Sequence, residues 1–216
     1  MFSGVFVNNR AKCGGALSIK NQEDILLHHS SITQNSESAL CISDSTVTFQ
    51  DIELSCNSGN SGGGVYSLNS ILKFKGSNSL CNNTAFSGGA MYMIQGSVLF
   101  EGRMTVFSQN FAQGNGGAFN AVGIDVNLRQ RVDFMYNSAQ NGGAIYLKGR
   151  ASMTPNLNSH LTFSFNKALG YGGGVYHEDD TIPAQCNFNE SQRYLELLSC
   201  LFNFRNEVVI YQVEHN

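Results

Sequence analysis

Charge is scarce in this chain. Asp, Glu, Lys and Arg make up 13% of its 216 residues, about half the usual share in a soluble domain. The formal net charge is −3, and no run of Lys and Arg stands out. A protein that neutralises a phosphate track needs a basic stripe, so nucleic acid is not an expected partner. Long apolar runs are missing too: nothing approaches the roughly 18 consecutive apolar residues of a membrane-spanning helix. The first residues, "MFSGVFVNNRAKCGG", lack the basic start and long apolar segment of a secretory signal. Proline occurs twice. No stretch carries a sustained helical period with capping residues.

What the chain does have is glycine, asparagine and aromatics. There are 23 Gly, 15 Phe and 8 Tyr. The aromatics suffice to pack a core, which argues against disorder. The glycines suit a β-rich fold with many tight turns.

These residues are arranged in a repeat. An aromatic or aliphatic residue is followed three positions later by Asn. Then come a Gly-Gly pair, a small residue, an aliphatic and often Tyr. Copies read "FVNNRAKCGGAL" from Phe6, "LSCNSGNSGGGVY" from Leu54 and "LCNNTAFSGGAMY" from Leu80. The series continues with "FSQNFAQGNGGAF" from Phe107, "FMYNSAQNGGAIY" from Phe134 and "FSFNKALGYGGGVY" from Phe163. A worn copy, "ITQNSESALCI", starts at Ile32 without its glycines. The recurring residues are Asn9, Asn35, Asn57, Asn83, Asn110, Asn137 and Asn166, at intervals of 26, 22, 26, 27, 27 and 29.

Short runs such as "SVLFEG", "MTVFSQN" and "ILKFKG" lie between the copies, rich in Val, Ile, Phe and Thr and bounded by Gly, Asn and Ser. Three short strands per copy without helices describe the coil of a right-handed parallel β-helix of about seven to eight coils, whose core exists only when coils stack. Residues 1–180 form the repeats, and 181–216 a degenerate terminal coil. Gly-Gly turns the chain sharply into a strand. The aromatics Phe107, Phe134 and Phe163 point inward. Each repeated Asn sits at a corner, where its amide bonds the next coil in a ladder and tolerates a left-handed backbone.

The Gly-Gly-Ala-aliphatic and Phe-x-x-Asn elements resemble the repeats of chlamydial polymorphic outer membrane proteins and of similar repeat proteins in simple animals and protists. The likeness spans residues 6–176. It implies a right-handed parallel β-helix displayed outside the cell, which in the bacterial members is an adhesin. The stretch "CNFNESQRYLELLSCLFNFRN" looks more like the Cys-bearing segments of the animal-type proteins. No alternating strands of a membrane β-barrel follow the repeats.

One column invites a binding role. Ser18, Cys41, Tyr66, Tyr92, Asn120, Tyr146 and Tyr176 each follow the aliphatic of their coil. Strand alternation turns them outward, so Tyr66, Tyr92, Tyr146 and Tyr176 form the expected binding face for a protein or glycan partner. The competing reading is that they stack on one another beneath neighbouring loops. An enzyme would need converging carboxylates. Asp125 and Asp133 share a coil with Arg129 and Arg131, but no such pair recurs in adjacent coils. The "NTD", "GHG" and "RIK" signatures of polygalacturonase-like β-helices are absent. His177 to Asp180, "HEDD", alternates across an extended segment and does not make a metal site. Of His28 and His29, alternation allows one inward.

Cys186 and Cys200 are the expected disulfide. Alternation sends Cys56 inward and Cys81 outward, which keeps these two from bonding. Asn82 and Asn189 head glycosylation sequons. The sequence thus reads as an extracellular, non-catalytic structural or adhesive module, without cofactor or metal and part of a longer chain. A secreted polysaccharide lyase or glycoside hydrolase is the alternative.

Overall fold

A computed structural model describes residues 1–156 and 159–178. Every element among them is a β-strand, and the strands pair in parallel. The chain winds as a β-solenoid with three stacked sheets.

The first sheet has seven strands: Val5–Val7, Ser31–Thr33, Glu53–Ser55, Ser77–Cys81, Met104–Ser108, Arg131–Met135 and His160–Ser164. Their register aligns Phe6, Ile32, Leu54, Leu80, Phe107, Phe134 and Phe163. These are the residues three before each repeated Asn. Six steps of about 4.8 Å make this stack roughly 29 Å tall. The second sheet has five short strands, one after each Asn from Asn57 to Asn166: Ser58–Ser61, Thr84–Ser87, Phe111–Ala112, Ser138–Ala139 and Lys167–Ala168.

The third sheet starts after each Gly-Gly pair and, in the worn copy, at the equivalent Leu40. It has eleven strands, and its main path holds Leu17–Lys20, Leu40–Ser43, Val65–Lys75, Met91–Phe100, Phe119–Val122, Ile145–Lys148 and Val175–Glu178. Two of these are longer than expected. Val65–Lys75 and Met91–Phe100 run through a corner and continue as a second leg, which pairs with Thr46–Gln50 and Asp125–Leu128. Asn69 and Gln95 take positive φ at those corners, 47° and 57°.

The core lies inside these sheets. Phe107, Phe134 and Phe163 stack face to face, with ring centroids 4.8 and 5.2 Å apart. Phe49, Phe74 and Phe100 make a second column at 4.9 and 5.0 Å. Phe100 meets Phe107 edge-on at 5.9 Å, joining the columns across the interior. Stacked rings add to the free energy of burying their apolar area.

The two glycines of each pair serve different needs. The first has φ near +60° to +70°, as at Gly116 with 66°, a conformation that costs a Cβ-bearing residue about 1–2 kcal/mol. From Gly15 to Gly143 the second is required by close approach. A Cβ on Gly117 would collide with the carbonyl oxygen of Gly143 in the next coil. In the worn copy Glu37 and Ser38 take φ of 63° and 60° without glycine.

Candidate functional site

The most regular feature runs along the corner between the first and second sheets. Asn35 Oδ1 accepts hydrogen bonds from the backbone N–H and Nδ2 of Asn9, at 2.9 and 3.0 Å. The same double contact links Asn35 to Asn57, Asn57 to Asn83 and Asn83 to Asn110. It continues from Asn110 to Asn137 and from Asn137 to Asn166. Each internal Asn also donates through Nδ2 to a carbonyl of the preceding coil, as Asn110 does to Leu80 at 2.9 Å. Buried amides that saturate their donors and acceptors in this way avoid the cost of an orphaned polar group.

The left-handed backbone at this corner belongs to the residue before each Asn, not to the Asn itself. Asn8, Gln34, Cys56, Asn82, Gln109, Tyr136 and Phe165 have φ between 54° and 57°. This corrects the alternation argument for Cys56. A left-handed residue breaks the two-residue period, so Leu54 points in and Cys56 turns out. Cys56 is exposed and Cys81 half-buried, and both are free thiols. Asn82, heading its sequon, occupies the same outward position and is exposed. Asn189, Cys186 and Cys200 lie outside the described residues, as does the terminal coil 181–216.

The tyrosine column exists in register but is not an open face. Ser18, Cys41, Tyr66, Tyr92, Asn120, Tyr146 and Tyr176 align across successive coils. Tyr66 and Tyr92 are half-buried with rings 6.0 Å apart. Burial raises the pKa of Tyr92, and Tyr66 adds to the shift. Tyr146 is 3% exposed, between Asn120 on one side and the Tyr176 ring at 5.8 Å on the other. The expectation of an exposed Tyr146 is therefore corrected: its neighbours above and below enclose it. Asn120, also buried, interrupts the column between Tyr92 and Tyr146.

An exposed aromatic pair sits elsewhere, on the Asn corner. Tyr136 is 56% exposed and Phe165 43%. Their rings stack at 4.8 Å with only 5° between planes. Both hold the left-handed conformation, with φ of 56° and 54°, where a bulky side chain is an outlier. Phe86, Phe111 and Tyr171 are exposed as well, and Tyr171 stacks on Tyr176 at 5.6 Å. Alternation alone does not reveal this set, because it does not mark which residue turns the corner.

The carboxylates of the enzyme alternative do not converge. Asp133 lies in the first sheet, buried and held by Arg131 Nε at 2.9 and 3.0 Å. Asp125 lies in the third, where its Oδ1 accepts from Ser152 Oγ at 2.7 Å. Another acidic group does occur in a shallow groove of about 530 Å³, lined in part by His29, Asp51, Glu53, Ser77 and Asn78. There Asp51 Oδ1 accepts from the Ser77 N–H at 2.8 Å. That bond lowers the Asp51 pKa, against a smaller opposing effect of burial. His29 Nε2 stands 3.8 Å from Asp51 and packs edge-on against His28. Among the described residues no group of three His, Cys, Asp or Glu is placed to hold a metal ion. His177 aligns with inward Leu147, while Glu178 turns out to Lys148 at 3.2 Å. Asp179 and Asp180 lie outside the described residues.

Two features escaped the sequence reading. One is a disulfide, Cys13–Cys41, joining neighbouring coils with Cα atoms 5.6 Å apart. The other is a set of secondary ladders. Ser70 Oγ accepts from the Ser45 N–H, and Ser45 Oγ from the Gln22 N–H. Asn141 Nδ2 donates to Asn115 Oδ1. The spacings of 25, 23 and 26 match the main repeat, and that match is the signal to look for.

Comparison with known proteins bears on the repeat itself. Residues 131–148 match the Chlamydia polymorphic membrane protein repeat. A relative described as probable outer membrane protein pmp6, from Chlamydia pneumoniae, is 37% identical over 115 residues. That alignment covers 51% of this chain and 9% of the relative. Both matches are chlamydial. No solved structure matches the chain.

Proposed function

We propose that this chain, built of repeats of the polymorphic membrane protein type, is a non-catalytic structural or adhesive module at the cell surface. The partner is a protein or a glycan, and it docks on the aromatic corner. The observation that carries this reading is the parallel stacking of Tyr136 and Phe165, both exposed and both left-handed. Other coils place Asn, Gln or Cys at that position. An exposed aromatic pair is a poor choice for solubility but a good one for recognition, since it offers apolar area at low entropic cost. A surface location is consistent with the outer membrane description of the chlamydial relative. The half-buried Tyr66 and Tyr92 form a secondary part of the surface. Asn82 remains the candidate glycosylation site among the described residues.

The second reading, a polysaccharide-active enzyme, takes its support from the groove with His29, Asp51 and Glu53. One experiment separates the two. Purified chain is incubated with immobilised glycans and matrix proteins, and in parallel with soluble acidic and neutral polysaccharides. Binding without release of reducing ends or unsaturated products supports the module. Turnover that is abolished in Asp51→Asn or Glu53→Gln supports the enzyme.

A further inference from the structure

We propose that Cys56 and Cys81 close a second disulfide between neighbouring coils, converting this corner into a covalent clip when the chain meets a disulfide oxidant.

The pairing of strands brings them together. Cys81 stands opposite Ser55 in register, and parallel strands lie about 4.8 Å apart. Cys56 is the next residue. Its backbone N–H donates to the Cys81 carbonyl at 3.1 Å. One residue step along the chain combined with one strand step across puts the two Cα atoms roughly 5–6 Å apart, inside the range that disulfides span. The same diagonal relationship recurs along the corner. Gln34 donates to Ser55, Asn82 to Ser108, Gln109 to Met135 and Tyr136 to Ser164. Among the described residues, only at Cys56 and Cys81 do two thiols occupy it.

Orientation removes the objection that alternation raises. The left-handed φ of 55° at Cys56 turns its side chain outward, to the side on which Cys81 already lies. The two thiols interact electrostatically, because a charge on Cys56 pushes the Cys81 pKa up. The solenoid already accepts a crosslink of this type, since Cys13–Cys41 joins adjacent coils.

The exposures assign the roles. Cys56 is the accessible thiol and attacks first. Cys81 has its pKa raised, chiefly by burial and further by Glu53, so it resolves. With oxidised glutathione, the Cys56 thiolate attacks one sulfur and releases one glutathione thiolate. The Cys81 thiol then loses its proton and attacks the Cys56 sulfur of the mixed disulfide, releasing a second glutathione. Two protein thiols and one glutathione disulfide become one protein disulfide and two glutathione thiols.

The test uses the full chain, purified under mild reduction and then incubated with oxidised glutathione. Remaining thiols are alkylated with iodoacetamide and peptides are mapped by mass spectrometry without reduction. The expected result is a linked peptide pair joining Cys56 and Cys81, with alkylation of both lost. In Cys56→Ser the Cys81 thiol should stay alkylatable, or carry glutathione. The proposal is overturned if both thiols remain alkylatable in the native chain. It is equally overturned if they end as separate glutathione adducts, or pair with Cys186 or Cys200 instead. Circular dichroism of the Cys56→Ser chain guards against misfolding. A β-rich spectrum and a cooperative melt show that altered labelling reflects the missing thiol.

Discussion

Asn110 and Asn137 share one oxygen twice: Asn137 Oδ1 accepts both the backbone N–H and the side-chain Nδ2 of Asn110, each at 3.0 Å. Asn110 Nδ2 also reaches back to the Leu80 carbonyl. One side chain therefore ties three coils, and the ladder it belongs to spans the described solenoid.

Removing a central rung should be costly. Asn110→Ala strips Asn83 of the oxygen that accepts its N–H and Nδ2 and leaves the Leu80 carbonyl without that donor. The expected loss is about 2–4 kcal/mol, since buried groups are left unpaired. Asn110→Asp should be no better, because a carboxylate cannot donate to Leu80 and buries a charge. Urea denaturation of the two variants checks both statements.

Glycine positions should divide into two classes. Gly117→Ala meets the backbone of Gly143 and of Ser138, and backbone cannot move aside without opening the stack. This substitution should lower stability by more than 3 kcal/mol on an order-of-magnitude basis, or prevent folding. Gly123 has a φ of 61° but open space around a Cβ. Gly123→Ala should cost only about 1 kcal/mol, from the left-handed conformation alone. Thermal melts of the pair measure the difference.

Acid should weaken the corner at Asp51. Its folded pKa is lowered from the ordinary 3.8 by the Ser77 N–H. A depressed carboxylate pKa contributes stability above the unfolded value, and that contribution is lost as pH falls through the folded one. Asp51→Asn should therefore lie below the parent near neutrality, with the gap shrinking as the pH falls below 3.8. Denaturation across that range would show parallel curves if the bond to Ser77 carried no weight.

Much of this architecture was legible in the sequence because a solenoid repeats its physics. Asn and Gly-Gly recur together only if the coil they shape recurs, so the sheets, inward Phe134 and enclosed core followed from spacing. The corner itself was not legible at single-residue resolution. Alternation assumes extended backbone, and Cys56 and Tyr136 violate it by one left-handed residue. That violation moved Cys56 from the core to the surface and brought the Tyr136–Phe165 pair into the open. Tyr146 was misread for another reason: its exposure depends on Asn120 and Tyr176, which are neighbours in space but distant in sequence. Cys13–Cys41 was missed because six cysteines admit many pairings and register between worn copies decides among them.

The central functional claim is that recognition uses the aromatic corner. Its most direct measurement compares binding of the parent chain, a Tyr136→Asn/Phe165→Asn double variant and Tyr92→Ala on one glycan and matrix-protein array. Asn is the natural residue at the equivalent Asn8 and Asn82, so the double variant keeps a backbone-compatible corner. The account predicts binding by the parent, binding largely kept in Tyr92→Ala, and a loss of more than about tenfold in the folded double variant. A double variant that binds as the parent does, or a parent that binds nothing on the array, would contradict it.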